Sequence, residues 1–118
     1  MQLASLKARR ERTIRAALSA LAREESALLT ERQRLAGEHA ALCDEWRGRC
    51  EIGDVLHQDA LKNLKVELGD YYLAERRLAD RLDASSLKLD ELRKERHRQE
   101  QALRQAVAGQ EKFKMLME

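Results

Sequence analysis

The sequence predicts an all-α fold in which two long helices form an antiparallel coiled-coil hairpin. The composition favours long helices, the apolar residues recur every seven positions, and the pattern is interrupted once near the middle. Of the 118 residues, 37% are charged and only 3% are aromatic, and there is no proline. Such a chain has little bulky material for a globular core, but it is rich in good helix formers, as coiled coils are.

The first arm, about residues 1–47, carries one row of large aliphatic residues at strict seven-residue spacing. The row consists of Ile14, Leu21, Leu28, Leu35 and Leu42. Because seven residues are close to two helical turns, the row forms one stripe along one face of a helix. The companion row is weaker and consists of Leu18, Glu25, Arg32, His39 and Trp46.

The second arm, about residues 55–118, follows a cleaner heptad pattern. Alternating steps of three and four residues from Leu61 give a row that continues to Met117. Its members are Leu61, Leu64, Leu68, Tyr71, Glu75, Leu78, Leu82, Ser85, Leu89, Leu92, Arg96, Gln99, Leu103, Ala106, Gln110, Phe113 and Met117. Twelve of these 17 positions are apolar or Tyr. That excess over the average composition predicts a helix with one continuous contact face.

The turn is expected at about residues 48–54, which include Gly48 and Gly53, with Asp54 as a helix N-cap. A chain that folds back there pairs positions whose numbers sum to 103, so that Leu28 meets Glu75. The heptad period equally allows a register shifted by seven, in which the paired positions sum to 110. In the first register residues 1–15 lie beside residues 88–102. Residues 103–118 then extend beyond the first arm as an unpaired helix or a disordered tail.

The sequence does not indicate an enzyme, a cofactor or a metal site. A metal site built from His39, Cys43, Cys50 and His57 fails because Cys50 lies nearly two turns beyond Cys43 on one helix. The remaining carboxylates alternate with basic residues, as on solvated helix faces, and a single two-helix seam offers no enclosed pocket. The prediction is a rod-like binding protein.

Charge and hydropathy limit the classes of partner that the sequence predicts. The net charge of +2 does not suggest binding of nucleic acid, and no apolar stretch approaches the length of a membrane span or of a signal peptide. We therefore expect a reduced, cytoplasmic chain that does not insert into a membrane. Two segments are nevertheless basic, residues 1–15 and residues 93–104, and the hairpin brings both towards the end that carries the termini.

The aromatic residues lie towards the turn. Tyr71 occupies a contact position of the heptad, whereas Tyr72 is one step off the seam and Trp46 lies beside the turn. Exposed aromatic side chains on a polar surface are typical anchors for a partner. We therefore predict a loop-proximal binding surface made of Leu42, Trp46, Tyr71 and Tyr72.

Two short segments carry a family resemblance. Leu6-Lys7-Ala8-Arg9-Arg10-Glu11 is similar to the basic "ARRE" opening of the small coiled-coil stalk proteins of bacterial type III secretion. Glu111-Lys112-Phe113-Lys114-Met115 is similar to their closing segment. With its length and two arms, the chain resembles this YscO family, which is related to the flagellar export protein FliJ.

The resemblance implies a function as the central stalk of a secretion ATPase, peripheral to the inner-membrane secretion apparatus. The end that bears both termini would enter the pore of the hexameric ATPase through Lys7, Arg9, Arg10, Arg12, Arg15, Lys112 and Lys114. The loop-proximal surface would reach the cytoplasmic ring of the export gate or bind escort chaperones. The alternatives are a generic coiled-coil adaptor and a helical chaperone, neither of which has an ATPase partner.

Overall fold

The computed structural model of the chain describes residues 2–52 and 58–117, all of which are α-helical. Helix α1 spans Gln2–Ile52 and helix α2 spans Gln58–Met117. The two helices form the predicted helical hairpin. Within the described residues, neither helix includes a stretch that is both long enough and apolar enough to cross a membrane.

The hairpin divides into two compact units, and the helices are antiparallel in each. The terminal unit comprises Met1–Leu28 and Lys88–Glu118, and the loop unit comprises Leu29–Leu87. In the terminal unit Lys7 Nζ donates a hydrogen bond to the carbonyl oxygen of Gly109 at 3.2 Å, so the start of α1 lies beside the end of α2. In the loop unit Arg49 Nη2 lies 2.6 Å from Glu67 Oε2, so the end of α1 lies beside the start of α2.

The residues of the helix contact follow the predicted seven-residue period. Both rows on α1, from Ile14 to Trp46, are buried or half-buried throughout, and so is every heptad position on α2 from Leu61 to Phe113. Leu35 and Leu64 in the loop unit and Leu89 in the terminal unit are each only 2% exposed. Each fully buried leucine contributes roughly 1.5–3 kcal/mol of transfer free energy, so these residues are the main apolar core.

The turn begins later in the chain than the sequence suggested. Helix α1 continues through Gly48 as far as Ile52, so the expected break at residues 48–54 is wrong for its first five residues. Gly53 and Asp54 lie outside the described residues. A helical glycine costs only about 1 kcal/mol relative to Ala. The ion pair between Arg49 and Glu67 gives this last part of α1 a partner on α2.

The pairing register is also different from the predicted one. Glu75 was expected opposite Leu28. Instead its Oε1 lies 2.9 Å from Nε2 of His39, which is about three helical turns beyond Leu28 on α1. In the alternative register Glu75 would lie opposite Leu35, which is still about one turn before His39 on α1. The longer α1 accounts for the direction of this shift, because each residue that α1 gains moves the pairings further along α1.

The same shift changes the expected end of the second arm. Residues 103–118 were predicted to extend beyond the first arm, yet α2 continues to Met117, and Leu103, Ala106 and Phe113 are half-buried. Lys7 lies beside Gly109 rather than beside residues 88–102, as the hydrogen bond between them demonstrates. The prediction of an unpaired tail is therefore wrong for most of that segment.

The polar residues of the α1 companion row find charged partners on α2. Glu25, whose side chain is 13% exposed, accepts a hydrogen bond from Arg96 Nη1 at 2.6 Å and another from Arg93 Nε at 3.2 Å. Glu25 and Arg96 both occupy contact positions of the heptads, so this ion pair is part of the helix contact. Burial of one partner reduces screening by solvent, which makes such a pair stronger than one on an open surface.

A double-mutant cycle measures that difference. We expect Glu25→Gln and Arg96→Gln to show a coupling energy of about 1–2 kcal/mol in urea unfolding, because the pair is partly desolvated and charge-assisted. The matched control is Asp44→Asn with Arg47→Gln, since these side chains are 76% and 78% exposed and 3.7 Å apart. Their coupling should be below about 0.5 kcal/mol. Equal coupling in the two cycles would contradict a role for Glu25 in the helix contact.

Candidate functional site

The terminal unit carries exposed basic side chains on both helices. Arg9, Arg10 and Arg12 of α1 are exposed, and among the residues that the structure describes none of their guanidinium groups forms an ion pair. Arg15 is engaged locally, because its Nη2 lies 2.9 Å from Glu11 Oε1 one turn away. Lys112 and Lys114 at the end of α2 are also exposed. We call the five unpaired cations, Arg9, Arg10, Arg12, Lys112 and Lys114, the terminal basic surface.

Lys7 differs from the other basic residues of the predicted ATPase-binding set. Its ammonium group donates to the Gly109 carbonyl and lies 5.3 Å from the centre of the Phe113 ring. The second contact is a cation–π interaction, which adds to the attraction between the two helices. Lys7 is half-buried and is therefore positioned to hold α1 against α2.

Exposed apolar residues that were not predicted to form a site accompany the terminal basic surface. Their exposed fractions range from 51% to 85%, and they are Leu3, Leu6, Met115, Leu116 and Met117. Met117 was expected in the seam. Because Gly109 lies level with Lys7 and the described part of α1 begins at Gln2, only about the last three described residues of α2, 115–117, extend past α1. In the sequence, the run of apolar residues at positions 115–117 was the feature that could have indicated these exposed apolar residues.

Three arginines of the second basic segment form ion pairs and are not part of the terminal basic surface. Arg93 and Arg96 lie against Glu25, and Arg98 Nη2 lies 2.6 Å from Glu95 Oε2. Gln99 and Arg98 donate hydrogen bonds to the Glu95 carboxylate and lower its pKa. These charges of residues 93–104 are therefore neutralised within the terminal unit.

In the loop unit, Leu42 and Tyr71 line an open groove between α1 and α2. The other lining residues are Arg49, Glu67, Asp70 and Ala74. The Tyr71 hydroxyl donates to Glu45 Oε2 at 3.2 Å, and burial together with this hydrogen bond raises the pKa of Tyr71. Leu42 and Tyr71 are both half-buried, so they are chiefly part of the helix contact.

Trp46 lines a different depression, on the surface of α1. Its neighbours there are Cys43, Arg47, Cys50 and Glu51. Trp46 is half-buried, so one part of the ring remains open to a partner. The predicted loop-proximal residues therefore do not form one patch, because Leu42 and Tyr71 line a separate groove.

Val66 and Leu73 are exposed apolar residues on one side of α2, and Tyr72 lies about 100° away from Leu73 around the helix. Tyr72 is 51% exposed, and Val66 and Leu73 are 66% and 53% exposed. Val66 and Leu73 are seven residues apart and so lie on the same side of the helix. Their spacing outside the contact heptad was the signal that could have revealed this face.

Of the four residues considered for a metal, the structure brings two together. His39 Nδ1 and Cys43 Sγ are 3.9 Å apart across one turn of α1. His57 lies outside the described residues, and Cys50 is exposed further along α1. In residues 2–52 and 58–117, no group of three or more His, Cys, Asp or Glu side chains has an arrangement suited to a metal ion.

Comparison with known proteins returned no match: no family model, no curated protein and no solved structure is significantly similar to this chain. The class that the structure defines is a two-helix antiparallel hairpin with a basic and apolar surface in its terminal unit.

Proposed function

We propose that the hairpin is the central stalk of a type III secretion ATPase, and that its terminal unit docks into the ATPase ring. The observation that carries the proposal is the terminal basic surface. Its cations come from both helices, are exposed, and lack ion pairs within the described residues. Charges that a protein leaves unpaired on one surface favour an acidic partner and accelerate association with it.

The apolar residues beside these cations support a protein partner. Leu6 and Leu116 are 58% and 85% exposed, which leaves apolar area that a docking surface could cover. Interfaces commonly combine such an apolar centre with a polar rim. The likeness of residues 6–11 and 111–115 to the YscO/FliJ family supports the hexameric secretion ATPase as the proposed partner. It also assigns the loop unit to the export gate or to escort chaperones.

A central stalk must also change the conformations of the ATPase subunits that it binds. A hairpin held inside a ring meets the subunits unequally, so it can stabilise different conformations of neighbouring subunits. Binding of the hairpin and assembly of the ring are then coupled, because a hairpin that binds the assembled ring more tightly also favours its assembly. We therefore expect the hairpin to promote ring assembly and to stimulate the ATPase.

The direct test is binding to the purified secretion ATPase of the same organism at low and high ionic strength. The affinity should fall at least about tenfold as salt is raised, mainly through a slower association rate, because the contact is between exposed charges. The control is the variant Trp46→Ala with Tyr72→Ala, which changes only the loop unit. It should bind the ATPase like the wild type but bind less to the export gate ring or to a chaperone.

The competing functions give different outcomes. A hairpin that binds no ATPase at any ionic strength is not a stalk, and an adaptor is then the better interpretation. Capture of an unfolded client would instead indicate a helical chaperone. Loss of ATPase binding in the Trp46 and Tyr72 variant would place the contact in the loop unit and contradict docking through the terminal unit.

A further inference from the structure

Three side chains of the loop unit form a chain of polar contacts that the proposed stalk function does not use. Cys43 Sγ lies 3.9 Å from His39 Nδ1, and His39 Nε2 lies 2.9 Å from Glu75 Oε1. His39 and Cys43 are one turn apart on α1, whereas Glu75 comes from α2. The order is that of a nucleophile, a base and a group that orients the base.

The contact with Glu75 decides which nitrogen of His39 faces the thiol. A carboxylate accepts hydrogen bonds, so the His39 nitrogen that faces Glu75, Nε2, carries the proton and donates it. In the neutral ring Nδ1 then has the free lone pair, and this nitrogen faces Cys43. His39 can therefore accept the proton of the Cys43 thiol without any rearrangement.

The imidazole is held in place by its surroundings. The side chains of His39 and Glu75 are 31% and 22% exposed, and both residues occupy contact positions between the helices. The packing therefore restricts the rotation of the His39 ring. A base with a fixed orientation activates a neighbouring thiol better than a free imidazole in solution would.

The thiol is also accessible from outside. Cys43 is half-buried, and it lines the surface depression that also contains Trp46 and Arg47. The opening of this depression leaves a route by which a small reagent can reach the Cys43 sulfur.

We propose that Cys43 is a covalent modification site that reacts with small disulfides. The thiol proton moves from Cys43 Sγ to His39 Nδ1 as the sulfur attacks one sulfur atom of the disulfide. The disulfide bond breaks, a mixed disulfide forms on Cys43, and the released thiolate takes the proton from His39. One thiol and one disulfide give one mixed disulfide and one thiol, so no further oxidant is needed.

Cys50 supplies an internal control for the experiment. It is the other cysteine of the chain, it lies seven residues further along α1, and it is more exposed than Cys43. The folded protein is treated with the neutral disulfide reagent dithiodipyridine, and mass spectrometry follows modification at each cysteine. We expect Cys43 to react about tenfold faster than Cys50, although exposure alone predicts the opposite order. A Cys43 rate equal to or below the Cys50 rate overturns the proposal.

Two variants test the roles of the partners. His39→Gln keeps an amide that can bond to Glu75 but removes the base, so the Cys43 rate should fall about tenfold. Glu75→Gln has nearly the same shape and should lower the Cys43 rate about threefold, because it no longer fixes the protonated nitrogen of His39. The Cys50 rate and the helix content should stay unchanged in both. An unaltered Cys43 rate in either correctly folded variant overturns the assigned mechanism.

Discussion

Replacing Leu35 with Asp is expected to unfold the loop unit and to abolish most of its helical circular dichroism signal. Leu35 is 2% exposed and has the most completely buried large side chain among the described residues. The substitution removes the apolar contacts of the leucine and places a carboxylate where water cannot reach it. An unpaired buried charge costs several kcal/mol, which is comparable with the whole stability of a small domain.

Two further variants separate the free energy lost with the apolar contacts of Leu35 from the cost of the buried charge. Leu35→Ala removes apolar volume without adding charge and should cost about 2–5 kcal/mol in urea unfolding. Gln33→Asp introduces the same carboxylate at an exposed position of the same turn. It should cost no more than about 1 kcal/mol, since only helix propensity and local charge change. Similar unfolding of the two Asp variants would mean that Leu35 does not lie between the helices.

Reversing the charge of the terminal basic surface should have the largest effect on the proposed function. In the variant Arg9→Glu, Arg10→Glu and Arg12→Glu, three unpaired cations become anions, and attraction to an acidic ring becomes repulsion. We expect the affinity for the ATPase to fall at least about 100-fold, or about 2.8 kcal/mol at 1.4 kcal/mol for each factor of ten. Stimulation of ATP hydrolysis should be lost in parallel.

A matched variant separates docking from the effect of net charge. Lys62→Glu, Lys65→Glu and Arg77→Glu change the net charge equally but lie on exposed positions of α2 in the loop unit. This control should alter ATPase affinity less than about threefold, because screened charges outside the proposed contact contribute little. If both variants lose binding equally, the interaction is a general charge effect and docking through the terminal unit is wrong.

The candidate site was predictable from the sequence only in part. The basic residues near the start of α1 are evident from composition, and the arginines among them are exposed. The engagement of Lys7 with Gly109 and Phe113 was not predictable, because those residues are far from Lys7 in the chain. Likewise, nothing in the sequence joined Glu75 to His39 and Cys43, since Glu75 comes from the other helix.

The sequence by itself determined that there are two helices and which face of each is buried. The period of the apolar residues specifies this, since a helix repeats nearly the same direction every seven residues. For that reason the rows from Ile14 to Trp46 and from Leu61 to Phe113 are buried or half-buried as predicted. Even the polar members of those rows, such as Glu25 and His39, are half-buried where the seven-residue period predicts a contact.

Only the tertiary structure decided how the two faces are aligned. A heptad pattern is unchanged when one helix slides past the other by seven residues, so several alignments bury the same leucines. Contacts that occur once along the chain distinguish them: Glu25 with Arg96, His39 with Glu75, and Lys7 with Gly109. These contacts depend on where the chain reverses, and Gly48 did not mark that point, because a glycine can remain helical at small cost.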